Sequence, residues 1–244
     1  MGSASTDPTT ERAPLPRTTT RPERGRVLLC APHADDDVLG AGGTCALHAA
    51  QGDFVHVIVA YDGLEGDPEG RFDRRELAIT RQREARAGGA HLGLTSYEFL
   101  GHPEGHLPSP VELLAGARAL AERVRALAID TVYAPWVGEH HLDHHVLARA
   151  ARLALAIAGF RGVAWGYEVW TPLIPTWIVD VSAVHAQKLA ALAEHRSQLA
   201  YHDIAAKGLA LSAQRAMYLA PEAKHGEAFA PLGEPMGRDR ELLR

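Results

Sequence analysis

From about residue 26 onward, short apolar runs alternate with stretches whose apolar positions recur every three or four residues. Val27-Leu28-Leu29-Cys30 is a buried-strand pattern that ends before Pro32. Val38 to Gln51 carries a helical pattern closing at Gly52, and residues 54–60 predict a second strand. Gly63, Gly66, Gly70 and Pro68 mark 61–72 as a loop. A helix is expected over about 74–88, stopped by Gly88-Gly89, then a short strand over 96–100 and a polar loop over 101–110. Apolar residues at 113, 114, 117, 120, 124 and 127 predict an amphipathic helix over 111–128. A strand over 130–135, a helix over 146–158, strands over 163–169 and 177–181, and a helix over about 184–201 complete the pattern.

This alternation predicts a single α/β, Rossmann-like domain over 25–244, with a mostly parallel sheet covered by helices on both faces. Residues 1–24 are rich in Thr, Pro and Arg without apolar periodicity, and read as a disordered tail. The opening Met1-Gly2-Ser3-Ala4-Ser5-Thr6 matches a myristoylation pattern and is read as coincidence. In sheets of this kind the active site lies beyond the carboxyl ends of the strands.

Bulk properties narrow the class. The formal net charge of -5 provides no broad cationic surface, so nucleic acid is not an expected partner. No apolar run approaches the ~18 residues of a membrane span, and no signal peptide is evident. The two cysteines, Cys30 and Cys45, form no C-x-x-C pair and read as buried thiols of a reduced, cytoplasmic compartment.

Two polar clusters follow strands directly. In the first, His33 precedes three consecutive aspartates, Asp35, Asp36 and Asp37. Adjacent carboxylates repel one another, and a divalent cation is the simplest charge to offset them. The second is Glu139-His140-His141-Leu142-Asp143-His144-His145. His33 and Asp36 are three apart, so in a helical turn they share a face with Cβ atoms ~5–6 Å apart. With one imidazole from the second cluster they make a two-nitrogen, one-carboxylate set that leaves a position for water. A neighbouring carboxylate and a further imidazole complete an inventory suited to amide or ester hydrolysis. Capping is the competing account of the first cluster, because Asp is favoured at a helix N-terminus. Gly40-Ala41-Gly42-Gly43 lacks the G-x-G-x-x-G spacing and reads as tight helix packing.

At these residues the chain resembles the LmbE-like, or PIG-L, family of zinc-dependent N-deacetylases. Its first motif has the form A/P-H-P-D-D-E and its second H-x-D-H. Here the first stands as Pro32-His33-Ala34-Asp35-Asp36-Asp37, with alanine for proline and aspartate for glutamate, and the second is intact as His141-Leu142-Asp143-His144. The resemblance implies His33, Asp36 and His144 as ligands of one zinc, or of another divalent transition metal. It implies Asp35 as general base, His141 as stabiliser of the transition state, and Asp143 as the charged partner of His141. Arg81 matches an arginine that reaches toward substrate. Phe99-Leu-Gly-His-Pro-Glu104-Gly is similar to an F-L-G-x-P-D-G loop, with Glu104 in place of a substrate-contacting aspartate. Trp170-Thr-Pro-Leu, the stretch from Lys188 to Leu199, and Gly226-Glu-Ala-Phe229 add to the likeness.

The implied activity is hydrolytic removal of an N-acyl group, acetyl in the family, from a small amino sugar or glycoconjugate, with Asp35 activating the attacking water. Two other classes compete. Asp143-His144-His145 spells the triplet of DHH-type manganese-dependent phosphoesterases, although there it follows a strand at once. A catalytically silent sugar-binding module on the same fold is the third, and Asp35 beside the ligands argues against it.

Overall fold

The computed structural model describes residues 15–234 and 237–243. Eight strands form one sheet: β1 (Arg17–Thr19), β2 (Val27–Ala31), β3 (Val55–Tyr61), β4 (Ser96–His102), β5 (Thr131–Pro135), β6 (Val163–Tyr167), β7 (Trp177–Asp180) and β8 (Gly226–Pro231). Their order is β1-β7-β8-β6-β5-β2-β3-β4, and every pairing is parallel except those of β8 with β6 and β7. The helices are α1 (Asp36–Ala50), α2 (Arg74–His91), α3 (Pro110–Ala126), α4 (Leu142–Ala158), α5 (His185–Ala193), α6 (Arg196–Leu199) and α7 (Ile204–Arg215).

Why β2 is an unbroken apolar run follows from its place at the centre of the sheet. Side chains alternate between faces along a strand. Val27, Leu29 and Ala31 enter the core shared with α1, α2 and α5, whereas Leu28 and Cys30 enter the core shared with α3 and α4. Both faces are covered, so no position in β2 tolerates a polar side chain.

Strand order also locates the site. From β2 the chain moves outward to β3 and β4, then returns to lay β5 on the other flank of β2. The crevice between the carboxyl ends of β2 and β5 is the topological switch point of the sheet. His33 follows β2 and His141 follows β5, so both polar clusters open onto that crevice.

Several expectations are corrected. Arg17–Thr19 lies within the segment read as disordered but pairs with β7 as an edge strand, while residues 1–14, including the myristoylation-like start, lie outside the described residues. α2 runs through Gly88-Gly89 to His91. Those glycines answer to packing: a Cβ on Gly89 would stand 2.3 Å from the Tyr97 hydroxyl, and one on Gly88 3.0 Å from the Ala191 carbonyl oxygen. The helix expected over 184–201 is broken between α5 and α6. α7 and β8 have no counterpart in the expected pattern.

Gly40 and Gly43 do serve packing. A Cβ on Gly40 would enter the Tyr167 ring, and one on Gly43 would meet Val181. α1 kinks at Ala41, and the amides of Gly43 and Thr44 both donate to Glu227 at 2.7 Å. Lys188 pairs with the same carboxylate at 2.6 Å and donates to the Leu39 carbonyl. A buried ion pair with its remaining acceptors satisfied pins α1, and with it the Asp36 turn, to β8 and α5.

Candidate active site

The turn after β2 bends His33 back onto the start of α1. The His33 backbone amide donates to Asp36 Oδ2 at 2.9 Å, and His33 Nδ1 lies 3.0 Å from the same oxygen. Asp35 is the N-cap of α1, yet its side chain makes no capping hydrogen bond. Side-chain caps are present at α2 (Asp73), α3 (a full capping box of Ser109 and Glu112) and α7 (Asp203), and absent at α4, α5 and α6. Capping therefore does not account for Asp35. Asp37 is fully buried and accepts a hydrogen bond from the Tyr97 hydroxyl at 2.7 Å.

α4 begins earlier than its apolar pattern indicates, at Leu142, which puts Asp143 and His144 in the first turn and His141 at the N-cap. His144 Nε2 stands 3.1 Å from Asp36 Oδ2 and its Nδ1 3.7 Å from Glu139 Oε2, but neither nitrogen has a hydrogen-bond partner. Glu139 is itself held by the backbone amides of Val169, Trp170 and Thr171. His145 is exposed, so the Asp-His-His triplet does not act as one ligand set.

Asp143 behaves differently from the expected partner of His141. Its Oδ2 lies 3.0 Å from His33 Nε2, its Oδ1 accepts from the Gly105 amide, and it makes no hydrogen bond to His141. The reason is geometric. Residues two apart at a helix start diverge, and His141 still has extended backbone angles. The His141 ring instead lies against Trp170, which is 67% exposed, with centroids 6.1 Å apart.

Both long loops return to this crevice. Glu104 Oε1 reaches 3.1 Å from His33 Nε2, while its other oxygen accepts from the Glu65 amide. Arg81, buried on α2, donates to the Gly63 carbonyl and places Nη2 3.5 Å from Asp35 Oδ2. The structure thus brings all eight residues singled out in the sequence to one place. Glu139, Tyr61 and Tyr97 join them without having been assigned a role. Glu139 lay inside the second cluster and was detectable there, whereas the tyrosines come from strands whose patterns look like ordinary core.

Electrostatics reflect the crowding. Burial lowers the His33 pKa, but hydrogen bonds with Asp143, Asp36 and Glu104 outweigh it and hold the imidazole well above its ordinary value. Burial raises the Asp36 carboxyl, yet His144 and His33 drive it well below the usual range. Burial pushes Asp37 up to about 6. His141 is lowered by burial and by repulsion from His33 and His144. Carboxylates facing imidazoles at this spacing satisfy one another with protons, or with a cation in their place.

The donor set fits a divalent metal. One ligand atom each from His33, Asp36 and His144 lies within 4.8 Å of the others, and so does a set from His33, His141 and Asp143. The first set contains the buried, unpartnered ring nitrogens of His144, which a cation would satisfy. Two imidazoles and one carboxylate suit zinc and related transition metals.

Fold and cluster together define an α/β protein with a His-Asp-His set at the sheet switch point that could hold a metal ion. The chain belongs to the PIG-L family, described as GlcNAc-PI de-N-acetylase, which it matches over residues 28–155. It is 30% identical over 228 residues to 2'-N-acetylparomamine deacetylase of Streptomyces fradiae, covering 79% of this chain and 81% of that protein. The N,N'-diacetylchitobiose deacetylase structure from Pyrococcus horikoshii superposes with a TM-score of 0.70 at 26% identity, covering 84% of this chain and 83% of that one. GalB, the 4-carboxy-2-hydroxymuconate hydratase of Pseudomonas putida KT2440, shares the fold with a TM-score of 0.73 at 20% identity, covering 87% and 98%. Fold alone therefore does not select the reaction. Of three further curated deacetylases this chain spans 70%, 61% and 53% of their own length.

Proposed function

We propose that the protein is a zinc-dependent N-deacylase of amino sugars or their conjugates. The observation that carries this reading is Asp35, a buried carboxylate withheld from capping and set beside the His33, Asp36 and His144 cluster. A divalent cation held by those three residues would polarise the amide carbonyl and acidify water at neutral pH.

Asp35 takes the proton of the attacking water, and Arg81, with Nη2 3.5 Å from Asp35 Oδ2, keeps that carboxylate aimed. His141, held neutral by its surroundings, retains one N–H to donate to the developing oxyanion. Asp143 and Glu104 fix the His33 ring from its Nε2 side. Water oxygen bonds to the acyl carbon, the C–N bond breaks, and the nitrogen leaves as an amine after gaining a proton. The products are a carboxylate and a free amino sugar. Exposed Trp170 beside His141 offers a stacking surface for the sugar ring.

Asp35→Ala tests the assignment. Amine release from N-acetylglucosamine should fall at least a hundredfold while bound metal, measured by elemental analysis, stays near one per chain. Near-normal turnover in that variant would contradict the role of Asp35.

A further inference from the structure

The sheet face covered by α3 and α4 is incompletely filled. A cavity of about 720 Å³ lies between these helices and strands β2 to β4, within the ~300–1,000 Å³ of ligand pockets. Its inner wall includes Cys30, Ile58 and Leu113, all buried and apolar. Along α3 the lining includes a stripe at helical spacing, Glu112, Gly116, Ala119 and Arg123. Gly116 and Ala119 are small, and a Cβ on Gly116 would meet nothing within 4 Å. The charged groups stand in pairs, Arg123 with Glu98 and Glu112 with His106.

The cavity adjoins the candidate active site. Tyr61 lines it, and the Tyr61 ring lies 5.7 Å from the His33 ring. Pro103, also in its wall, immediately precedes Glu104. On α4 the lining begins at Val146, just past Asp143 and His144. Ring contacts run in series from Tyr61 to His33 (5.7 Å), His141 (5.1 Å) and Trp170 (6.1 Å). One end of the series faces an apolar cavity and the other an exposed indole.

We propose that this cavity receives the acyl chain of the substrate, so that the preferred amide carries a medium or long aliphatic acyl group on the amino-sugar nitrogen. The inference rests on the N-deacylase reading above. An amide has two sides, and these surroundings sort them. Sugar hydroxyls placed among Cys30, Ile58 and Leu113 would lose their water without gaining partners. An aliphatic chain loses nothing there, and an acetyl methyl leaves nearly all of the space unused. Hydrolysis then yields the aliphatic carboxylate and the free amine, with the nitrogen keeping the bonding pair and taking up a proton. Each methylene buried is worth up to about fourfold in binding.

The test measures kcat/KM by amine release from N-acetyl-, N-butanoyl-, N-octanoyl- and N-decanoylglucosamine, with the zinc-loaded full chain. The decanoyl-to-acetyl ratio should exceed ten. Gly116→Leu, which places a better helix former into the open stripe, should lower that ratio at least tenfold with the melting temperature maintained. Gly116→Phe should lower it further. Calorimetric titration of sodium decanoate into metal-stripped protein provides a readout independent of turnover, with binding weakened at least tenfold by Gly116→Leu. Acetyl cleavage with a ratio at or below one overturns this inference and leaves the deacylase reading standing. Decanoate affinity unchanged by Gly116→Leu overturns it as well. If none of the four amides is cleaved, the deacylase reading fails and takes this inference with it.

Discussion

Four residues after β2 perform different tasks because the backbone turns between them. His33 and Asp36 face each other across the turn, Asp35 points toward Arg81, and Asp37 turns inward to Tyr97. Asp37 stands where the family pattern has glutamate, and the shorter side chain is met by a tyrosine hydroxyl from β4. The thiols illustrate the effect of burial, which acts alone on Cys30. Burial pushes Cys30 up to about 12, and burial with nearby carboxylates pushes Cys45 well above its ordinary value. Only the thiolate reacts with disulfide reagents. Ellman titration of the native protein at pH 8 should therefore find neither cysteine, and titration in denaturant should find both. Rapid labelling of either in the native state would mean that the core opens there.

At the scale of elements, the start of α3 serves stability whereas the start of α1 carries the site's aspartates. Ser109 and Glu112 satisfy the start of α3, so Ser109→Ala should cost ~1 kcal/mol in chemical denaturation. Its effect on acetyl-substrate turnover should be less than twofold, and a large loss would place that helix start in the site. The apolar pattern alone makes β2, β3, β5 and the bodies of α1, α3 and α4 legible, since burial on a strand or helix leaves a period in the sequence. It does not reveal β1, whose pairing with β7 covers only three positions and whose Arg17 lies over Trp165 and Trp177, residues far away in the chain. The antiparallel insertion of β8 is equally silent, being decided by contacts with β6 and β7 far away in the chain. The early start of α4 was hidden because its first turn is polar for the sake of the site. Which aspartate contacts which histidine was likewise not legible, because spacing specifies a face but not a rotamer.

Over the whole molecule, the sheet switch point gathers residues from four segments that are distant in sequence. β2 delivers His33, α1 the aspartates, β5 and α4 the second cluster, α2 Arg81, and the loop after β4 Glu104. No helix among the described residues is long and apolar enough to cross a membrane. The face covered by α3 and α4 contains the cavity beside Tyr61, next to the crevice that holds the site. Metal dependence is the claim on which the chemistry stands. The direct measurement is amine release from N-acetylglucosamine by chelator-stripped protein as zinc is returned. Activity should be absent in the stripped protein and rise linearly to a plateau at one zinc per chain. His144→Ala, which removes one of the three proposed ligands, should not be restored at that stoichiometry. Full turnover by the stripped protein, or a plateau that requires two metals, would contradict the single-metal deacylase described above.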